Sequence, residues 1–343
     1  MAAMVIVNNP GDWGTVYAPL LHAPWHGLTP TDLIFPFFLF IVGVSITLAR
    51  RSGATAATIA RRAAVIFALG MLLALYPRFD FATVRIPGVL QRIAVCYLCV
   101  ALFHRWRGDR EWQAGARDAL VAAGLLLVAY WLLIRGDLTP DGNLGAVIDR
   151  AAFGEHLWRQ SRTWDPEGLL STMPAIGTTL TGLAAGLVLR GAPADRRAAL
   201  IAAGSLLALV AGALWSLAFP LNKSLWTSSY VLVTSGLAGL LLTGLHLLFD
   251  RGRWTAAARP FVILGRNALL LFVVSGFLAK TLVLMRVDAG GDATIALSRW
   301  IYLTWFLPLA SPKNASLLYA FANLALLFGL LWGLDRRRWY WRV

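Results

Sequence analysis

The stretch Asp32-Leu33-Ile34-Phe35-Pro36-Phe37-Phe38-Leu39-Phe40-Ile41-Val42-Gly43-Val44-Ser45-Ile46-Thr47-Leu48-Ala49-Arg50-Arg51 decides the fold class. An acid opens it, residues 33–49 carry no charge, and two arginines close it. As a helix, a run of this length covers about 25 Å, close to the ~30 Å hydrocarbon core of a bilayer. The pattern recurs along the chain. Of its 343 residues 58% are hydrophobic and only 14% are charged, against roughly a quarter charged in a soluble domain. Soluble cores stop growing near about 250–300 residues, so no single core hides this much apolar surface. The composition excludes a soluble enzyme, a disordered chain and a disulfide scaffold. It predicts an all-α polytopic membrane protein.

Apolar runs of spanning length fall near 33–49, 60–76, 88–104, 118–134, 168–189, 198–219, 227–249, 261–284 and 315–334. A further run, 294–309, carries Arg299, Trp300, Tyr302, Trp305 and Pro308. Its aromatic density and its proline predict an interfacial or re-entrant segment. Met1–Val7 is apolar but too short to span. Counted as the remnant of a first helix, it brings the total to about ten.

Charge sets the orientation. With 8–32 outside, the inner segments are 50–62, 105–118, 190–197, 250–259 and the tail from Asp335. They hold 18 of the 31 basic residues but six of the 17 acidic ones. That bias predicts a cytoplasmic inner side and a cytoplasmic C-terminus. It also accounts for most of the net charge of +14 without nucleic acid. The outer segments 8–32, 77–87, 135–167 and 285–314 are longer and irregular, and long loops are usually functional. We therefore read one transmembrane domain over 1–343, with a long outer loop at 135–167 and an outer interfacial segment at 285–314.

Few side chains are available for chemistry. Cys96 and Cys99 form a C-x-x-C within a span, and the structural reading, two small buried helix residues, suits them. His104, His156 and His246 read as structural. His22 and His26 stand apart, in Leu21-His22-Ala23-Pro24-Trp25-His26-Gly27-Leu28-Thr29-Pro30-Thr31-Asp32 at the mouth of a span. A histidine beside a carboxylate is a general base or a nucleophile. Their i,i+4 spacing also suits a metal, but Pro24 lies between them and no metal is expected. Gln91, Arg92 and Asn267 fall within spans, where polar groups are costly; Arg266 is also within one. With the outer histidine they outline a polar cavity through the membrane.

These residues lie in blocks that together resemble the heparan-α-glucosaminide N-acetyltransferase family. The blocks are, in order, Met4–Asn8, His22–Thr29, Asp32–Pro36, Val84–Arg92, Asp165–Gly168, Asn222–Trp226 with Ser229-Tyr230, and Gly265–Asn267. The resemblance runs nearly end to end. It implies a transmembrane acyltransferase-like bundle that carries acetyl from cytosolic acetyl-CoA to a glucosamine amine across the membrane. It assigns His22 as the active histidine, Asn8 as the amide beside it and Asp32 as its carboxylate. Arg62 lies where the family has an arginine and is expected at the CoA phosphates. Gln91, Arg92 and Asn267 are expected along the pantetheine path. Trp25, His26, Arg85 and Trp226 are expected at the saccharide.

The resemblance further implies a bacterial relative, in the inner membrane with His22 periplasmic, and a possible homodimer. Two departures stand out. The family opens with a complete first span after an Arg-Gly pair, so an upstream extension of roughly ten apolar residues or more is expected. Some relatives have a Gly-His pair where Ser275-Gly276 stands here, which removes that second histidine. An O-acyltransferase of an envelope glycan shares the donor and the cavity and differs in the acceptor. A transporter without chemistry needs no outer base, and a structural protein needs no polar residues within its spans.

Overall fold

In lipid, every backbone N–H and C=O must be paired within its own segment, so an apolar run that enters the bilayer folds as helix. The computed structural model describes residues 1–49, 54–108, 110–250, 252, 254–288 and 294–341. Its helices are α1 (Ala2–Asn8), α2 (Ile34–Leu48), α3 (Ala56–Leu75), α4 (Val89–Arg107), α5 (Trp112–Ile134), α6 (Leu144–Phe153) and α7 (Leu169–Gly191), followed by α8 (Arg197–Trp215), α9 (Ser228–Leu245), α10 (Thr255–Arg266), α11 (Ala268–Leu284), α12 (Leu297–Ile301) and α13 (Pro312–Arg336). Among the described residues eight helices are long and apolar enough to cross a membrane, and α10 with α11 makes a ninth if the bent pair is one span. The protein is a multi-pass, all-α membrane protein. Its small sheet pairs β1 (Arg286–Asp288) antiparallel with β2 (Thr294–Ala296). Arg50, Arg51, Asp109, Arg251, Arg253 and Arg342, which enter the charge argument, lie outside the described residues.

Three expectations change. The run 261–284 is not one straight span: α10 and α11 meet at 68°. The break falls at Asn267, whose backbone leaves the helical region and whose side chain binds the chain's tail. Arg266, expected within the span, instead reaches Asp335 (3.0 Å) and the Tyr340 hydroxyl (3.1 Å) beyond α13. The cysteines part company: Cys96 is buried and Cys99 is exposed on the outer face of α4.

Helix α7 is the axis of the bundle. It packs against α2, α4, α5, α8 and α9, and 56% of its spanning window is buried, against 17% for the peripheral α3 and α8. The reason is composition. Gly182 and Gly186, four apart, let the α2 backbone come within contact, as small residues do between membrane helices. A Cβ on Gly182 would stand 2.0 Å from the Phe40 carbonyl oxygen, and one on Gly43 would stand 2.0 Å from that of Thr179. Phe35, Leu39, Leu90, Ile93, Cys96, Leu127, Ala175, Trp226 and Tyr230 form the core between these helices. A second cluster, with Met4, Val5, Leu264, Leu271, Leu327 and Leu331, joins α1, α10, α11 and α13.

Because the obstructing atoms at Gly182 are backbone, Gly182→Ala should destabilise by about 1–3 kcal/mol, the usual cost of overpacking. Gly124→Ala on α5, where a Cβ meets open space, should not. Thermal unfolding in detergent compares the two.

Candidate active site

The site begins at the turn that precedes α2. Thr29 caps the short 3₁₀ turn Pro30–Leu33, and Asp32, third in that turn, folds back onto it in a capping box. Asp32 Oδ2 accepts hydrogen bonds from Thr29 N (3.0 Å), Thr29 Oγ1 (2.9 Å) and Ala23 N (3.1 Å). Its Oδ1 lies 2.6 Å from His22 Nδ1. The carboxylate is 1% exposed while the imidazole is 51% exposed. A buried carboxylate is tolerable only when its lone pairs are filled. Here they are filled in a way that fixes His22 with Nδ1 as donor and Nε2 carrying the free lone pair.

A second loop, between α8 and α9, closes over the first. Gly27, at φ +123°, donates its N–H to the Leu221 carbonyl (2.8 Å). The Tyr230 hydroxyl donates to the Asp32 carbonyl (2.6 Å). Asn222 is fully buried, accepts from Leu225 N (2.8 Å), and sets its amide 3.3 Å from His26 Nδ1. The next residue, Lys223, places Nζ 3.1 Å from His22 Nε2 and 3.2 Å from Nδ1. Burial pulls the Lys223 amine below its ordinary pKa, and Glu167 and Asp32 pull it back up only in part.

Acids from the 135–167 segment complete the site. Arg85 donates to both oxygens of Asp165 (2.8 and 2.5 Å) and to Glu167 (2.5 Å), and its guanidinium lies over Trp158. Burial alone would push the Glu167 carboxyl up, but Arg85, Arg92 and Lys223 hold it below its ordinary range. His156 donates to the Val84 carbonyl (2.8 Å) and so steadies the loop that presents Arg85. Trp25 stacks edge-on against Trp164, which stacks against Trp158, giving an aromatic wall beside the acids.

Other expected residues land differently. Arg92 is 2% exposed and bonds Ser171 Oγ and the Gly168 carbonyl over the Trp226 ring. Its Nε and Nη1 have no partner among the described residues. Trp226 is itself fully buried and bonded to Thr178, so it sits beneath the site rather than in it. Gln91 is wedged against Gly70 and Gly88. Asn8 is exposed at the end of α1, and no hydrogen bond among the described residues joins it to His22. Its neighbour Asn9 is the one that turns inward, to Ser275 (3.4 Å). Asn267 receives the N–H of Trp341 (2.8 Å) and donates to the Trp339 carbonyl (3.2 Å). It therefore serves the tail, although Gly265 and Ala268 on either side line the cavity described next.

A cavity of about 880 Å³ runs along α2 from Ile34 to Ala49, a path of about 22 Å at helical rise. Ile34 lies two residues from Asp32. Phe37, Phe38, Ile41, Val42, Ile66 and Ile93 make its walls, and Arg62, His104, Arg105 and Arg190 gather at the far end. Among the described residues Arg62, Arg105 and Arg190 form no ion pair with an acid. Arg105 and Arg190 bond backbone carbonyls at that rim (both 3.0 Å).

The comparisons with known proteins identify the family. The family described as "Heparan-alpha-glucosaminide N-acetyltransferase, catalytic" matches residues 1–219. The chain belongs to that family. Two curated relatives carry the name "Heparan-alpha-glucosaminide N-acetyltransferase". The human one is 31% identical over 337 residues, covering 79% of this chain and 50% of its own length. The mouse one is 28% identical over 342 residues, covering 80% and 51%. The chain thus spans about half the length of these relatives. Lys223, Asn222, Asp165 and Glu167 lie in blocks that carry the resemblance, but no role is legible for them in sequence. The available signals were a paired acid around Pro166, just before a span, and an arginine in another outer segment, Arg85, to match it.

Asp149 on α6 accepts from Leu169 N (2.9 Å) at the start of α7, and burial raises its carboxyl from 3.8 to about 6. The folded state therefore holds a proton that the unfolded chain releases. This contribution to stability is full below about pH 4 and is lost as pH rises through about 6. Asp149→Asn should remove that slope. The difference in melting temperature, variant minus wild type, should rise between pH 4.5 and 7.

Proposed function

We propose that this chain moves an acetyl group from acetyl-CoA to the amine of a glucosamine or glucosamine-ended saccharide. The observation that carries the reading is the cavity along α2. One end gathers cations that suit the phosphates of CoA, and its narrow apolar length suits the pantetheine arm. Its other end is lined by Ile34, two residues along the chain from Asp32. Arg62 is the first phosphate ligand and Arg105 and Arg190 complete the rim. The name shared by the two relatives supplies the acceptor class.

A protonated amine does not attack a thioester, so a base must take its proton. His22 Nε2 does this, with Asp32 holding the tautomer and stabilising the imidazolium that forms. The same nitrogen can accept the acetyl group first, as an acetyl-imidazole, and the geometry serves both routes. The aromatic wall of Trp25, Trp158 and Trp164 offers flat apolar faces to a sugar ring, and Glu167 offers a charge to its ammonium. The basic bias of the opposite segments supports an orientation with His22 away from the cytosol and the phosphates at the cytosolic face.

Purified protein given labelled acetyl-CoA should acetylate glucosamine and chitosan oligomers and leave an alcohol-only sugar unmodified. Folded protein that makes no product with any amine would refute the reading. His22→Ala should lower turnover by about 10²–10⁴. Asp32→Asn should lower kcat more than KM, because it releases the tautomer without touching the acceptor.

A further inference from the structure

Of the chain's 31 basic residues only three are lysines: Lys223, Lys280 and Lys313. Lys280 is spent on the carbonyls of Leu73 and Tyr76, where it ties α11 to the end of α3. Lys313 is exposed over the Tyr17 ring. Lys223 alone meets a histidine. A chain that mostly uses arginine for charge has, beside its outer histidine, a cation that can lose its proton. The distinction matters, because a guanidinium stays charged whereas a lysine shifts its pKa readily when buried.

With Nδ1–H given to Asp32, His22 Nε2 is the ring nitrogen left to act as base, and the Lys223 amine lies 3.1 Å from it and 3.2 Å from Nδ1, close against the imidazole. Glu167 and Asp32 supply negative charge to that amine, and burial favours its neutral form. These are the surroundings that an acceptor sugar amine requires: a base within hydrogen-bond reach, a carboxylate to attract the ammonium, and a site that helps it deprotonate. Lys223 Nζ thus stands where the acceptor nitrogen belongs.

We propose that Lys223 is itself an acetyl acceptor, modified by the protein's own His22 when no sugar amine fills the site. This rests on the acetyl-CoA reading above. The ammonium first releases one proton to solvent. The neutral amine attacks the thioester carbonyl, the C–N bond forms and the C–S bond breaks. The second amine proton passes to His22 Nε2 and then to the departing thiolate. The products are free CoA and an Nε-acetyl-lysine amide. The amide is neutral, so the cation opposite Glu167 and Asp32 is lost and the acetyl group stays against the base. Donor without acceptor would therefore switch the site off.

The test incubates the full chain, in detergent, with carbon-13-labelled acetyl-CoA and no acceptor, followed by peptide mass spectrometry. Lys223 should acquire label at least about tenfold above Lys313, which reports uncatalysed acetylation. The label should survive hydroxylamine, as an amide does and an acetyl-imidazole does not. Excess glucosamine should suppress it several-fold. His22→Ala should reduce it to the Lys313 level; His22→Gln, checked for folding by gel filtration, serves if the alanine variant fails. Equal label on Lys223 and Lys313, or undiminished label without His22, overturns the proposal. Glucosamine transfer is measured on the same sample. Product on the sugar with no label on Lys223 overturns self-acetylation and leaves the acetyltransferase reading intact. Neither product nor label overturns both.

Discussion

One buried carboxylate holds the site together. Asp32 sits at the point where an irregular loop becomes a membrane helix, and burial there is costly unless each oxygen is paired. The turn pairs one oxygen through Thr29 and Ala23, and His22 takes the other. The same residue's backbone carbonyl receives the Tyr230 hydroxyl from α9. Closing the turn before α2, fixing the imidazole tautomer and docking α9 thus meet at a single residue. A change of the Asp32 side chain reaches the first two at once.

Around that point the structure separates two kinds of environment. The His22 end is wet, charged and aromatic, with Arg85, Asp165 and Glu167 in one network. The cavity along α2 is apolar until its far rim, where the cations are. Helix α2 serves both: its first turn follows directly on Asp32 and its remaining length lines the cavity. Its close approach to α7, made possible by Gly43 and Gly182, keeps that wall straight. The glycines therefore act on the chemistry only through geometry.

The spans were legible because hydrophobic length is a one-dimensional property, and Asp32–Arg51 states it within twenty residues. The His22–Asp32 pair was legible for a related reason, since the nine intervening residues, two of them prolines, keep it within one short loop. The partners that complete the site were not. Lys223 reaches His22 across about two hundred residues of sequence, and Arg85 meets Asp165 across 80. No local pattern encodes such pairings. Asn267 shows a different limit. A polar residue inside an apolar run reads as a cavity liner, whereas its amide satisfies backbone groups of a tail some seventy residues away. Trp226 is ambiguous by type, because an aromatic beside a polar block can face a sugar or fill a core, and only packing decides; here it is fully buried.

The kink at Asn267 has a mechanical meaning. Gly265 and Ala268, on either side of it, are part of the cavity wall, and the angle between their helices is held from outside by Trp339 and Trp341, with Arg266 clamped to Asp335 and Tyr340. The wall is thus only as stiff as a strut made of the residues after α13. The bend that borders the cavity is thus pinned, through one asparagine, by backbone groups more than seventy residues further along the chain.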